Sequence, residues 1–300
     1  MPFTDPPRIL TVRPDTFGRR RFLRTAGALG IGVAAAGLSA RSAFADESES
    51  SQQRAQELQQ SKDTAKEIFT AALIAEDLAT TFYYNALVGP VIQDVNLAGP
   101  GGTATNVTAE GNFGNVAYIR AALSEEIAHA NLFRGLLGIA AASSDPAQTF
   151  YFPPGTFDTL GAFTALLDAL ENAFIGAYLN AIQEFANMSA TQRAFGHNNG
   201  EDGRYSTEQL DYFAKVAASI MGIESEHRVL GRVISNTNPA NNLAYEQTDG
   251  LNAVYNGPKS AVAALTPFLT SSTGRGYSLA FALANQGSVS EPVSGGPPTF

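Results

Sequence analysis

The sequence contains the same short helical pattern twice. The segment "AEDLATTFYYNAL" aligns without gaps on "LENAFIGAYLNAI", at an offset of 95 residues. The alignment matches Glu76 with Glu171 and Tyr83 with Tyr178. Because an internal repeat reuses one supersecondary unit, the chain is predicted to contain two related helical hairpins in tandem.

A Glu-x-x-His pair follows each copy of this pattern. The first, in "SEEIAHANLF", is Glu126 with His129, and the second, in "GIESEHRVLG", is Glu224 with His227, 98 residues later. Residues three apart lie on one face of a helix, so the glutamate and histidine of each pair can point at the same object. The chain has only three histidines, which makes two in this spacing a specific signal.

Apolar residues recur at three- and four-residue steps in four long segments, which predicts four helices. Turn-rich sequence separates them, including the Gly-, Pro- and Asn-rich stretch 88–115. The predicted fold class is all-α, a four-helix bundle with a long loop between helices 1 and 2 and a C-terminal extension. The predicted helices are Asp63–Leu87, Val116–Ala141, Thr159–Met188 and Thr207–Ser235, and "AVAALTPFLT" (261–270) predicts a short fifth helix.

Each predicted hairpin supplies one lone glutamate and one Glu-x-x-His pair, which together make the ligand set of a dinuclear carboxylate site in a four-helix bundle. The sequence has no cysteine, which excludes thiolate zinc sites, iron–sulfur clusters and disulfides. Buried carboxylates need neutralising cations, and metal ions are the simplest ones. The alternative is a metal-free bundle that keeps these groups protonated or ion-paired. The predicted ligands are Glu76, Glu126, His129, Glu171, Glu224 and His227.

Through these six positions, residues 62–236 resemble exported ferritin-like domain proteins, a group that includes desiccation-related proteins of plants and bacteria. The resemblance implies that the lone glutamates bridge or flank two metal ions, that the glutamates of the Glu-x-x-His pairs bridge or chelate them, and that each histidine binds one ion. It also implies that Tyr83 and Tyr178 lie near the metals as hydrogen-bond donors or redox-active phenols.

Other polar residues are predicted to have supporting or surface roles. Glu184 shares a helix stripe with two asparagines, which indicates exposure to solvent. Asp168 lies one turn before Glu171 and is a candidate to orient a ligand histidine. His197 lies in a Gly- and Asn-rich loop and is predicted to be exposed. Acidic residues expected at the surface or beside the ligands are Glu125, Glu226, Asp77 and Glu184, and aromatic residues expected in the core are Phe69, Phe82, Phe133 and Phe174.

The N-terminal sequence predicts export. Residues 18–24, "GRRRFLR", precede a small apolar run and an A-x-A site ending at Ala45, which resembles a twin-arginine signal peptide. The apolar run of about fifteen residues is short of the roughly twenty that a membrane-spanning helix needs. The predicted segments are the signal peptide 1–45, a polar lead-in 46–61, the bundle 62–236 and an extension 237–300 that is disordered at its end.

Signal cleavage would leave a strongly acidic chain in the periplasm or outside the cell. The full chain has a formal net charge of −9, and residues 1–45 hold seven arginines and two aspartates, so the remainder carries about −14. Such a domain repels phosphate backbones, so nucleic acid is not an expected partner. The twin-arginine translocase is the expected partner during export, and a homo-oligomer is left open.

The predicted mixture of carboxylate and imidazole ligands favours iron(II) or manganese(II). The expected cofactors are two Fe ions, with two Mn ions or a mixed Mn/Fe pair as alternatives, and O₂ or peroxide is the expected substrate. An oxidase, a ferroxidase, a peroxidase and a manganese catalase-like enzyme are all candidates. The alternative from another class is an exported stress or desiccation-related protein whose metal site is structural or vestigial.

Overall fold

The computed structural model describes residues 63–195, 205–237, 239–241, 251–252 and 261–291. The predicted signal peptide, the predicted polar lead-in, His197 and the end of the extension that is predicted to be disordered lie outside the described residues.

Four long helices form the body of the protein, and the predicted all-α fold class is confirmed. They are α1 (Ala65–Val88), α2 (Phe113–Leu137), α3 (Leu160–Phe195) and α4 (Thr207–Ile234). Capping boxes at Thr64 and Ser206 start α1 and α4, because each hydroxyl accepts a hydrogen bond from an otherwise unpaired backbone N–H. The prediction ended α3 seven residues too early, at Met188, although no Gly or Pro lies between Met188 and residue 196.

The helices are arranged as two hairpins that face each other. α1 packs along α2, and α3 packs along α4. Two apolar clusters fill the interior at opposite ends of the bundle, one around Phe82 and Phe163 and the other around Phe69 and Phe213. The predicted ligands lie on the helix segments between these clusters. The aromatic residues predicted in the core are buried, namely Phe69, Phe82, Phe133 and Phe174.

The long loop between α1 and α2 is folded against the bundle. A 3₁₀ turn at Pro90–Gln93 is followed by a segment that buries Leu97 and Ala98. Gly99 has a φ of 78°, and a Cβ at this position would lie 2.2 Å from Thr108 Oγ1, so only glycine fits here.

The C-terminal extension contains one element that the sequence predicted and others that it did not. Strand β1 (Thr149–Phe152) pairs antiparallel with strand β2 (Arg275–Ser278). The predicted fifth helix is present as α5 (Ala261–Leu265) and a 3₁₀ turn, Thr266–Leu269, and α6 (Leu279–Asn285) packs against α1. Arg120 on α2 donates hydrogen bonds to two backbone carbonyls, at 289 and 290, which fastens the end of this region to the bundle.

Candidate metal centre

All six predicted ligand side chains meet in the middle of the bundle. α1 and α3 each contribute one glutamate, and α2 and α4 each contribute one Glu-x-x-His pair. The four glutamates are between 0% and 2% exposed. This is a dense group of carboxylates, with two imidazoles, in an interior that excludes water.

The six side chains form two overlapping groups, each able to hold one metal ion. The His129 subsite consists of Glu76, Glu126, His129 and Glu224, and the His227 subsite of Glu126, Glu171, Glu224 and His227. Within each group the donor atoms all lie within 4.8 Å of one another. Glu126 and Glu224 occur in both groups, so they are placed to bridge two ions, while Glu76 and Glu171 each flank one subsite.

Both histidines turn Nδ1 toward the carboxylates. His129 Nδ1 lies 3.2 Å from Glu76 Oε2 and 3.6 Å from Glu224 Oε1. His227 Nδ1 lies 3.0 Å from Glu126 Oε1 and 3.4 Å from Glu224 Oε2. Nδ1 is therefore the nitrogen placed to bind an ion in each subsite.

Several of these buried atoms make no hydrogen bond, although Nδ1 of His227 lies 3.0 Å from Oε1 of Glu126. Both carboxylate oxygens of Glu126 and of Glu224, Glu171 Oε2 and His227 Nδ1 are in this state. Buried polar atoms in proteins are nearly always satisfied, and an unpaired buried acceptor costs about 1–3 kcal/mol. Carboxylate oxygens and imidazole nitrogens are the donors that iron and manganese take, so the residues fit a metal pair.

The electrostatics of the protein without metal point the same way. Burial raises the pKa of Glu126 and raises that of Glu171 further, and neighbouring carboxylates add to both effects. Burial alone would lower the pKa of His129 and of His227, but the surrounding carboxylates outweigh it and leave both values well above the ordinary one. In the metal-free protein, these carboxyl and imidazole groups therefore bind protons more tightly than usual, and the protons occupy the site that metal ions would fill.

The two predicted tyrosines connect the hairpins, because each one donates a hydrogen bond to a glutamate of the other hairpin. Tyr83 on α1 donates a hydrogen bond of 2.6 Å to Glu171 on α3, and Tyr178 on α3 donates one to Glu76 on α1. Burial and then the neighbouring carboxylates raise the pKa of both phenols well above the usual value, so both stay protonated. Each phenol thus orients a flanking glutamate from outside the ligand set.

Glu125, expected at the surface or beside the ligands, lies both at the surface and beside a ligand. Its side chain is 44% exposed, and its Oε2 lies 2.8 Å from Nε2 of His227. Asp168, a candidate to orient a histidine, instead accepts hydrogen bonds from Arg232 and Asn172. Glu226 is exposed, as one of the two predicted alternatives.

Asp77 is not at the surface. Its carboxylate is fully buried and lies 2.5 Å from Arg134, which also contacts Asp145 at 2.8 Å. Burial raises the pKa of Asp77 well above the usual value, against the opposing effect of Arg134. This ion-paired group joins α1, α2 and the segment before β1.

The interpretation of Glu184 as a solvent-facing residue is wrong. Its side chain lies in α3 beside the apolar cluster around Phe69 and is only 3% exposed. Burial, with a smaller contribution from Asp63, raises the pKa of Glu184 to about 7. The two asparagines on its helix stripe suggested solvent because a stripe along one helix does not reveal what packs against it in the fold.

The fold and the site together define an all-α bundle with a candidate dinuclear carboxylate centre. Residues 64–197 match the family model described as a ferritin-like domain. This match covers α1, α2 and α3, so Glu224 and His227 on α4 lie beyond it. No curated protein and no solved structure matches the chain.

Proposed function

We propose that this chain is an exported protein that holds two iron ions, or two manganese ions or one of each, and oxidises Fe(II) or reduces O₂ or peroxide in protection against stress. The observation that carries the proposal is the sharing of Glu126 and Glu224 between two complete ligand groups. Two ions held by common bridging carboxylates lie close enough to act on one small molecule.

The residues divide the work of holding the metals. Glu126 and Glu224 would bridge the ions, and each ion would take one histidine and one flanking glutamate as its own ligands. A redox-active metal pair supplies the electrons that O₂ or peroxide takes up. The surrounding interior excludes bulk water, which strengthens every electrostatic interaction at the site.

Tyr83 and Tyr178 support the same function by holding protons. Each phenol remains neutral and donates to the carboxylate that flanks one ion. A donor at this position fixes which oxygen of the glutamate is left for the metal. The phenols are also the nearest oxidisable side chains that the predicted site includes.

The N-terminal sequence supports export of the metal-loaded protein. Arg19 and Arg20 precede a short apolar run and a cleavage site near Ala45. The twin-arginine translocase moves folded proteins, so the metals would be loaded in the cytoplasm before transport to the periplasm or cell exterior. A site whose metal identity depends on availability as well as affinity benefits from this order.

The test is anaerobic loading with two equivalents of Fe(II), followed by mixing with O₂ or H₂O₂ in a stopped-flow spectrometer. We expect a near-ultraviolet absorbance band of Fe(III), and loss of the Fe(II) that a ferrous-specific chelator detects. The Glu224→Ala variant is expected to lose the rapid rise of this Fe(III) absorbance band. Glu226→Ala, which removes an exposed glutamate two residues further along α4, is the matched control and should retain it.

A fully metallated protein that reacts with neither O₂ nor peroxide would contradict the redox function. It would favour the alternative of an exported stress-related protein with a structural metal pair.

A further inference from the structure

The two subsites have different surroundings. The His227 side chain is 3% exposed, and its ring lies between the ligand carboxylates at Nδ1 and Glu125 at Nε2. The His129 side chain is 13% exposed, and its carboxylate partners among the described residues all face Nδ1. One imidazole therefore has a carboxylate at its Nε2, and for the other no such carboxylate lies within the part of the chain that the structure describes.

This difference follows one of the positions at which the two Glu-x-x-His segments differ in sequence. The offset of 98 residues that matches Glu126 with Glu224 also places Ile223 where the first hairpin has Glu125. Glu125 on α2 accepts a hydrogen bond from Nε2 of His227. An isoleucine side chain has no acceptor atom, so Ile223 on α4 cannot make the corresponding contact with His129.

A carboxylate behind a ligand imidazole has a known physical effect. It accepts a hydrogen bond from Nε2–H, which leaves Nδ1 free to bind metal, and it fixes the ring orientation and raises the basicity of the ligand nitrogen. Loss of such a partner typically costs 10- to 100-fold in metal affinity. Because Glu125 is 44% exposed and solvent screens its charge, the lower end of about tenfold applies here.

We propose that Glu125 is a positioning residue that makes the His227 subsite the tighter of the two. The first ion then binds at the His227 subsite, and the more exposed His129 subsite holds the ion that exchanges with solution. This inference rests on the proposed function, because it requires the bundle to hold two ions.

Calorimetric titration of the metal-free protein with Co(II) measures the two affinities. We expect two binding phases whose Kd values differ by about tenfold. His129→Ala is expected to keep the tight phase, while His227→Ala is expected to lose it. These two variants assign each phase to a subsite.

Substitution of Glu125 tests the positioning role directly. Glu125→Ile, which copies the residue at position 223, is expected to weaken the tight phase about tenfold and bring the two phases together. Glu125→Gln keeps an acceptor oxygen without the charge and is expected to lose less. The visible absorption of the first Co(II) ion should change in Glu125→Ile, while Glu226→Gln should match the unsubstituted protein in both measurements.

The outcomes separate this inference from the proposed function. Two ions that bind with equal affinity, a tight phase that Glu125→Ile leaves unchanged, or a tight phase that survives in His227→Ala would overturn the role of Glu125 while leaving a two-ion site in place. Failure of the unsubstituted protein to bind Co(II) would overturn both.

Discussion

Chelation of the two metal ions is expected to lower the melting temperature of this protein by about 15–30 °C at pH 8, and by much less at pH 5.5. An ion present at a thousand times its Kd stabilises the folded state by about 4 kcal/mol. Each kcal/mol shifts the melting temperature of a domain of this size by about 2–4 °C. The loss of two ions therefore produces a shift that calorimetry resolves easily.

The pH dependence follows from the directions of the pKa shifts. Glu126, Glu171, His129 and His227 all have pKa values that are raised in the folded, metal-free protein. A group whose pKa is raised by folding contributes its full stabilisation at a pH below its pKa in the unfolded chain. This stabilisation is lost as the pH rises through the pKa of the group in the folded protein. The metal-free protein should therefore lose stability as the pH rises above about 4.5, the ordinary glutamate pKa, and again above about 6.5 for the histidines.

The metal-bound protein should instead gain stability as the pH rises, because metal binding requires these four ligands to release their protons. The gap between the two melting temperatures should then widen between pH 5.5 and pH 8. Glu184, with a pKa of about 7, titrates in both forms and cancels from the gap. Glu224→Gln is the control and should not respond to chelator. A gap that is absent, or larger at pH 5.5, would contradict the prediction.

Replacement of Arg134 with methionine is expected to destabilise the protein by about 3–5 kcal/mol. The substitution leaves the buried carboxylates of Asp77 and Asp145 without the cation that lies between them. Because removal of Arg134 would raise the already elevated pKa of Asp77 further, the loss should be smaller at pH 5 than at pH 8. Urea unfolding at both pH values measures the difference.

Arg193→Met is the matched control, since Arg193 pairs with Asp211 at the surface, where the side chains are 59% and 43% exposed. Exposed ion pairs contribute about 0–1 kcal/mol, so this variant should unfold almost as the unsubstituted protein does. Metal content should be unchanged in both variants, because neither arginine contacts a ligand. Equal destabilisation by the two substitutions would show that the buried group around Arg134 has no special role in stability.

The sequence was sufficient to predict the helices and the meeting of the six side chains. Helix periodicity is local, and a Glu-x-x-His pair fixes two side chains on one face without reference to the rest of the chain. The internal repeat then related the two hairpins and matched Glu76 with Glu171, which completed the ligand set of a dinuclear site in a four-helix bundle. The family resemblance, not local reasoning, implied that Tyr83 and Tyr178 lie near the site, and in the structure each phenol donates a hydrogen bond to the flanking glutamate of the other hairpin.

Features that depend on distant parts of the chain were not predicted. Strand β1 has only four residues and pairs with residues more than 120 positions away, so no local sequence pattern predicts it. Asp77 was misplaced because α1 is buried on every side from Leu73 to Tyr84, with α6 packed against it in addition to the bundle. A helix covered all round has no polar stripe, and charged residues in it must find partners.

Anomalous diffraction from crystals of the metal-loaded protein is the most direct test of the central claim. The claim predicts two peaks about 3.5–4 Å apart between Glu126 and Glu224, one beside Nδ1 of His129 and the other beside Nδ1 of His227. Absence of both peaks from this position in a protein with two bound metal ions would contradict it.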